Sequence, residues 1–172
     1  MSEIDCVYDK VDPALAQVLD RWITWLACEK GFSAHTVRAY SGDMQQWIGF
    51  VTGYEGGVLT LPGLADLPLR SFRAWLAARH GSGCSAASSR RAVSTLRNFF
   101  SYIERHNGIT NNALQVLVLP KRHIPLAKAL SQGEVRKVTA AFSEPLDWIT
   151  QRDLAILLLL YGRGLRIGEA LS

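Results

Sequence analysis

Four stretches with helical apolar periodicity dominate the first two thirds of the chain. Within each stretch apolar residues recur three or four positions apart, and capping residues or glycines separate one stretch from the next. The predicted helices run from Asp12 to Gly31, from Ser33 to Gly53, from about Pro68 to His80 and from about Ala86 to His106. Because an amphipathic helix buries its apolar stripe only against another element, we predict a mainly α fold with a compact helical bundle within residues 1–107.

The rest of the chain predicts a linker and the opening of a second unit. Residues 108–128 contain two prolines and three basic residues, which is typical of an extended linker. At residues 129–172 a capping box, Ser131-Gln132-Gly133-Glu134, precedes one helix, and a second helix from about Asp147 to Tyr161 is apolar almost all round. We expect that second helix to be buried. A unit this short cannot form a large core, so we expect it to begin a domain that the sequence does not complete.

The positive charge is concentrated in the middle of the chain. Residues 1–66 carry four Lys or Arg against nine Asp or Glu, a net charge of −5. Residues 67–128 carry ten Lys or Arg against a single acid, Glu104, which gives +9, and residues 129–172 are balanced at five and five. Such an asymmetry favours a surface that meets a polyanion such as nucleic acid. The alternative is an ordinary solvated helix face.

Composition excludes several other classes of protein. The three cysteines are odd in number, widely spaced and form no CxxC pair, which argues against a disulfide framework or a zinc site: Cys6, Cys28 and Cys84. The histidines are also scattered, and we expect neither a metal nor a cofactor. The longest apolar run, Leu154 to Tyr161, is far shorter than the roughly 20 residues that span a bilayer. We expect a cytoplasmic protein.

The aromatic residues follow the helical core periodicity. We therefore expect the five tryptophans to pack in the interior, and not to serve as stacking platforms for single-stranded nucleic acid: Trp22, Trp25, Trp47, Trp75 and Trp148.

One arginine near the end of the sequence is a candidate phosphate ligand. Arg166 lies in Gly164-Leu165-Arg166-Ile167-Gly168-Glu169, directly after the apolar helix, where we expect rigid surroundings to hold it at a turn. A guanidinium fixed in this way can donate two parallel hydrogen bonds to a phosphate. Glu169 is three residues further on and can orient Arg166. The alternative is an ordinary helix-surface pair between the two residues.

Four segments, in order along about 140 residues, resemble motifs of the tyrosine recombinases of the phage integrase family, specifically the Xer-type enzymes. Residues 151–171 resemble the box RD-x-A-x-x-x-L-L-Y-x-T-G-L-R-x-x-E-x-L, and residues 33–43 resemble S-x-x-T-x-x-x-Y-x-x-D. Residues 90–100 resemble the helix R-x-L-S-x-L-R-x-F-F, and residues 119–121 the linker P-K. The sequence departs from the family pattern in having Arg163 in place of a small residue and Asn111-Asn112-Ala113 in place of Asn-Pro-Ala.

The resemblance implies a four-helix, SAM-like core-binding bundle, a linker and the first helices of a mixed α/β catalytic domain, which together clamp duplex DNA. It implies site-specific recombination through a 3′-phosphotyrosyl intermediate, without a metal, as in chromosome or plasmid dimer resolution or in integration. It also implies assembly with itself or a paralogous recombinase as a tetramer on DNA. Since all five tyrosines precede Arg166, none matches the family's nucleophile, and we expect this chain to bind DNA without cleaving it.

The resemblance also assigns residue roles. Arg166 matches a catalytic arginine of the family, with Glu169 in support. The predicted DNA-binding residues are on the second helix, on the fourth helix and in the linker: His35, Thr36 and Arg38; Arg90, Arg91 and Arg97; Lys121 and Arg122. Arg90 and Arg97 are seven positions apart and line up over two helical turns, with Arg91 to one side. Two other functions stay open, a non-catalytic helical DNA-binding module or regulator and a helical protein-interaction domain.

Overall fold

The computed structural model describes residues 9–119, 130–140, 142 and 147–171. The chain divides into two compact units. Residues 9–119 belong to the first unit and residues 130–171 to the second. Among the described residues every regular element is a helix, as the periodicity predicts, apart from an isolated bridge between Val11 and Leu59.

The first unit contains the four predicted long helices and two short elements. In chain order these are α1 (Pro13–Cys28), α2 (Ala34–Glu55), α3 (Gly63–Asp66), α4 (Leu69–Gly81), α5 (Ala86–Asn107) and a 3₁₀ turn (Asn112–Leu114). The ends of the long helices lie within three residues of the predicted ends. The short helix α3 is not evident from periodicity, because it is only about one turn long.

Side-chain caps explain where three of the four long helices begin. The Asp12 carboxylate accepts a hydrogen bond from Leu15 N (2.8 Å), and Ser33 Oγ accepts one from Thr36 N (3.2 Å). Ser85 Oγ plays the same role at α5 by accepting from Ser88 N (3.1 Å). A cap of this kind stabilises a helix by about 1 kcal/mol, since it satisfies a backbone N–H that has no partner within the helix.

The core of the first unit is rich in aromatic residues. Trp22, Trp47 and Trp75 are buried, and the Trp47 ring stacks on Phe72 with ring centroids 6.0 Å apart. Trp25 is partly buried and packs against Tyr102. The prediction that the tryptophans pack in the interior is therefore confirmed for the four that lie in this unit.

The predicted linker begins in a segment that packs on the bundle. Leu114 and Leu117 are buried. The Asn111 side chain donates to the carbonyl oxygens of Leu64 (2.8 Å) and Leu67 (2.9 Å), so it fixes the path of the chain after α5. The packed structure thus extends about ten residues beyond residue 107, because the sequence supplies apolar side chains three positions apart there. The assignment of domain boundaries itself stays a prediction.

The second unit contains α6 (Gln132–Ala140), α7 (Trp148–Arg163) and α8 (Ile167–Ala170). The predicted capping box is present: Glu134 N donates to Ser131 Oγ (3.3 Å) and Ser131 N donates to the Glu134 carboxylate (2.8 Å). These hydrogen bonds lower the pKa of Glu134.

Two expectations about α7 are wrong in this structure. None of its described residues is buried, although the helix is apolar almost all round. Trp148, expected in the interior, is 67% exposed and lies under the Arg152 guanidinium, 5.1 Å from the ring centroid. The physical reason is that this unit is short and offers too little apolar surface to cover such a helix. In the described ranges, no helix combines the length and apolar character needed to cross a membrane.

Candidate nucleic-acid interface

One face of α2 and one arginine of α5 form a shallow groove. We refer to it as the α2–α5 groove, and its volume is about 250 Å³. It is lined by seven residues: His35, Arg38, Ala39, Gly42, Asp43, Gln46 and Arg91. The six α2 positions share a face because they recur at three- and four-residue intervals. The structure therefore brings together three of the predicted site residues, His35, Arg38 and Arg91, and all three are exposed.

Asp43 fixes the orientation of Arg91 at this groove. The Asp43 carboxylate is 2% exposed and accepts hydrogen bonds from Arg91 Nε (2.8 Å) and Nη2 (3.0 Å). Thr95 Oγ1 also donates to Asp43 (3.3 Å). This bidentate pair raises the pKa of Arg91, chiefly through the hydrogen bond to Asp43. Nε and Nη2 are occupied, so Arg91 has Nη1 to offer to a further acceptor, and its side chain is 49% exposed.

Asp43 is not among the site residues predicted from the sequence. The sequence does offer an indication of its role, because Asp43 is an acidic residue next to Met44, on the apolar stripe of α2 that faces the core. An ionised side chain at a core position requires a partner, and that partner is a cation on a neighbouring element.

A glycine lies in the middle of the groove. A Cβ added to Gly42 would meet no atom of the described residues within 4 Å, so their packing does not require a glycine there. A glycine inside a helix costs up to about 1 kcal/mol relative to alanine. Because Gly42 has no side chain, the α2 backbone is open to a ligand that approaches through the groove.

The beginning of α2 borders the same groove. Thr36 is half-buried, and its hydroxyl lies 2.9 Å from Ser33 Oγ within the helix cap. His35 and Arg38 stand on either side of Thr36 in the sequence. The amino end of a long helix carries a partial positive charge, which favours an anion at this end of the groove.

The other two predicted arginines of α5 lie beside the segment that follows the helix. Arg90 is half-buried and lines a separate, mostly apolar pocket with Leu119. Arg97 is exposed, yet it donates to the carbonyl oxygens of Leu114 (3.3 Å) and Leu117 (3.1 Å). The two-turn spacing does place Arg90 and Arg97 along one side of the helix, but Arg97 holds the chain's own backbone. The three arginines therefore do not form one free cationic ridge.

Two further observations concern the basic middle of the chain. Arg79, which contributes to its charge of +9, is 6% exposed and is not a surface cation. Lys121 and Arg122, predicted to contact DNA, lie outside the described residues.

In the second unit Arg166 caps the short helix α8. Its Nη1 donates to the Glu169 carboxylate (3.0 Å), and its backbone N donates to the same carboxylate (2.8 Å). The expected pairing is present. The expected rigid surroundings are absent among the described residues, because the Arg166 side chain is 86% exposed and no described residue covers it. The contact fits both interpretations, a phosphate ligand oriented by Glu169 and a helix-surface pair.

Comparison with known proteins assigns the family. The family described as "Phage integrase, N-terminal SAM-like domain" matches residues 19–107. Proteins named tyrosine recombinase XerC are similar over more than nine tenths of this chain. The relative from Rhodospirillum centenum is 40% identical over 162 residues, which is 93% of this chain and 48% of the relative. Those from Methylobacterium nodulans and Rickettsia conorii are 37% and 30% identical, over 93% and 94% of this chain and 51% and 54% of their own lengths.

The chain thus spans about half the length of the curated relatives it matches. No solved structure gives a significant match to it.

Proposed function

This chain belongs to the phage integrase family through its SAM-like bundle and is similar to Xer tyrosine recombinases, and from that premise we propose that it binds duplex DNA for site-specific recombination. The observation that carries the proposal is the α2–α5 groove. It gathers His35, Arg38 and Arg91 on the exposed surface of the matched region. Its neighbouring helix end is suited to an anion.

The groove would hold the duplex through its phosphates and through directed donors. Arg38 supplies a full positive charge, whereas the charge of Arg91 is offset by Asp43. Arg91 therefore contributes a hydrogen-bond donor in a fixed orientation more than it contributes long-range attraction. Thr36 adds a hydroxyl near the helix end. Arg90, Arg97, Lys121 and Arg122 stay predicted DNA contacts.

Arg166 would act in the chemistry of the complete recombinase. Its guanidinium would bind non-bridging oxygens of the scissile phosphodiester and stabilise the charge that develops as a tyrosine attacks the phosphorus. Glu169 would orient it. As the tyrosine oxygen bonds to the phosphorus, the bond from the phosphorus to the 5′ oxygen breaks, and the 5′ oxygen leaves as a hydroxyl with the proton that the tyrosine loses. The tyrosine would then retain the 3′-phosphoryl group until a 5′-hydroxyl attacks the phosphorus, rejoins the strand and releases the tyrosine. None of the tyrosines of this chain is proposed as that nucleophile, so the chain alone binds DNA and does not cleave it.

The same proposal extends to partners and setting. The recombinase would assemble with itself or a paralogous recombinase as a tetramer on DNA. It would act in the cytoplasm, in resolution of chromosome or plasmid dimers or in integration, and it would use no metal and no cofactor.

The test is a titration of this chain with fluorescein-labelled duplex DNA of mixed sequence at two salt concentrations. Binding should weaken steeply at the higher salt, because each phosphate contact releases bound counterions. Arg38→Ala should raise Kd about threefold to tenfold, since it removes a phosphate ligand. The matched control is Arg21→Ala, which removes an exposed arginine of α1 that does not line the groove.

A salt-independent Kd, or equal effects of Arg38→Ala and Arg21→Ala, would overturn the proposal and favour a protein-interaction domain. Arg166→Ala should leave duplex binding by this chain within about twofold of the unmodified value, because its proposed role lies in the chemical step.

A further inference from the structure

Arg79 of α4 is a buried cation with uncharged partners. Its side chain is among the few buried polar groups of the described residues. Nη1 donates to Gln46 Oε1 (2.7 Å) and Nη2 donates to Ser88 Oγ (2.9 Å), so a single guanidinium joins α4 to α2 and α5. The guanidinium carbon also lies 5.2 Å from the centroid of the Trp75 ring. A buried charge is costly, so its hydrogen-bond partners are held firmly in place.

The Arg79 contact determines which end of the Gln46 amide faces the groove. A guanidinium can only donate hydrogen bonds, so the amide oxygen must face Arg79. The NH₂ group is on the other branch of the same planar amide and is directed away from Arg79. Gln46 is exposed and lines the α2–α5 groove, so this NH₂ group is available there as a donor.

The groove therefore has two donors that are each oriented by a buried group. Asp43 fixes the Arg91 guanidinium, and Arg79 fixes the Gln46 amide. Gly42 lies on the same face of α2, one helical turn before Gln46, and leaves room for a ligand to reach both donors. An acceptor on duplex DNA, either a phosphate oxygen or a base edge, matches this chemistry.

We propose that Gln46 is a further DNA-contacting residue of the α2–α5 groove and that the buried Arg79 is its positioning residue. The inference rests on the proposed function. Arg79 itself does not touch DNA; it acts by holding the Gln46 oxygen so that the NH₂ group faces the ligand.

The decisive variant is Gln46→Glu. It replaces the NH₂ donor by a carboxylate oxygen, which repels phosphate and cannot donate to a base. Duplex affinity should fall about tenfold or more, the scale of losing one good contact. At the same time the melting temperature should rise or stay unchanged, because the new carboxylate lies beside Arg79. Opposite directions for affinity and stability separate a DNA contact from a structural residue.

The matched control is Gln17→Glu on α1. Gln17 Oε1 also accepts a hydrogen bond from an arginine, Arg21 Nη2 (3.4 Å), but Gln17 does not line the groove. This variant makes the same change in net charge, and its effect on duplex affinity should stay within about twofold. If Gln46→Glu weakens binding no more than Gln17→Glu does, the inference is wrong.

A double-mutant cycle tests the role of Arg79. Arg79→Lys should weaken duplex binding in the unmodified chain and should have no further effect once Gln46 is alanine, because Arg79 then has no amide to orient. Equal effects of Arg79→Lys in both backgrounds would show that it acts on the fold as a whole. If Arg79→Lys does not fold, as judged by circular dichroism, the comparison of Gln46→Glu with Gln17→Glu decides the inference.

The same titrations identify the acceptor on DNA. An effect of Gln46→Ala that is uniform over several unrelated duplexes assigns a phosphate, and an effect confined to one base pair of a preferred duplex assigns a base edge. Failure of the unmodified chain to bind any duplex would instead refute the proposed function. Binding that depends on Arg38 but not on Gln46 would refute the further inference alone.

Discussion

Arg91 in the first unit and Arg166 in the second both donate to a carboxylate, but the two carboxylates differ in burial. The Asp43 carboxylate is 2% exposed and accepts hydrogen bonds from two side-chain nitrogens of Arg91. The Glu169 carboxylate is 50% exposed and accepts a hydrogen bond from Nη1 of the Arg166 side chain. Water competes for an exposed pair, so its net contribution is small. A buried carboxylate cannot exchange its partner for water and thus fixes the guanidinium.

The two units differ in how firmly they fix the orientation of the arginine side chain. The first unit supplies a buried partner, a neighbouring hydroxyl and a packed helix around Arg91. Within the described residues of the second unit, Arg166 rests on a short helix and a half-exposed glutamate. The first unit therefore already fixes the orientation of Arg91, while the proposed chemical role of Arg166 requires residues that hold it more firmly.

The largest expected effect is from Asp43→Ala. This change leaves Arg91 and Thr95 without their shared acceptor, and it should lower the free energy of unfolding by about 2 kcal/mol. The half-exposed Arg91 can turn to water, which keeps the loss below that of a fully buried pair. Denaturant unfolding followed by circular dichroism measures it. Glu169→Ala is the comparison variant and should change stability by less than about 0.5 kcal/mol. Equal losses would remove the distinction between the two arginines.

Arg97→Ala tests the part of the first unit that the sequence predicts as linker. Loss of the hydrogen bonds to the Leu114 and Leu117 carbonyls should lower stability by about 1 kcal/mol and expose the segment after α5 to protease. Limited proteolysis with mass spectrometry locates the cleavage sites. Arg105→Ala, which removes an exposed arginine of the same helix, should leave the cleavage pattern unchanged. Unaltered proteolysis of Arg97→Ala would show that Leu114 and Leu117 hold the segment by packing alone.

Gly42→Ala should move stability and DNA binding in opposite directions. The added methyl group meets no atom of the described residues within 4 Å, so the helix should gain up to about 1 kcal/mol from the better helix former. Duplex affinity should fall severalfold if DNA approaches the α2 backbone at this point. Thermal unfolding and fluorescence titration measure the two quantities. Gly53→Ala on the same helix meets no atom either and lies outside the groove, so it should leave affinity unchanged.

The smallest expected effect concerns pH and the helix starts of the second unit. Hydrogen bonds from Thr150 lower the pKa of Asp147 from its ordinary value of 3.8, and those with Ser131 lower the pKa of Glu134 from 4.5. A lowered pKa means that the stabilisation is present above these ordinary values and is lost as the pH falls through the folded values. Helix content should therefore decline slightly below about pH 4. Asp147→Asn should reduce that decline, and an unchanged profile would contradict the assigned cap.

Much of the first unit follows from local sequence patterns. The recurrence of apolar residues three or four positions apart predicts each long helix, and Asp12, Ser33 and Ser85 occupy the positions where three of them begin. The family motifs added the prediction that α2 and α5 bear the site. Local patterns suffice for these features because helical hydrogen bonds and side-chain caps join residues only three or four positions apart.

The tertiary structure decided the roles of individual charged residues. By sequence Arg79, Arg91 and Arg97 are alike, three basic residues on predicted helices. In the fold Arg79 is buried against Gln46, 33 positions away, Arg91 is fixed by Asp43, 48 positions away, and Arg97 holds carbonyl groups of the following segment. Pairing over such distances depends on how helices pack, and helical periodicity does not contain that information. Local patterns thus predict the long helices, whereas helix packing sets which arginines face the groove, because burial and hydrogen-bond partners are properties of neighbouring elements.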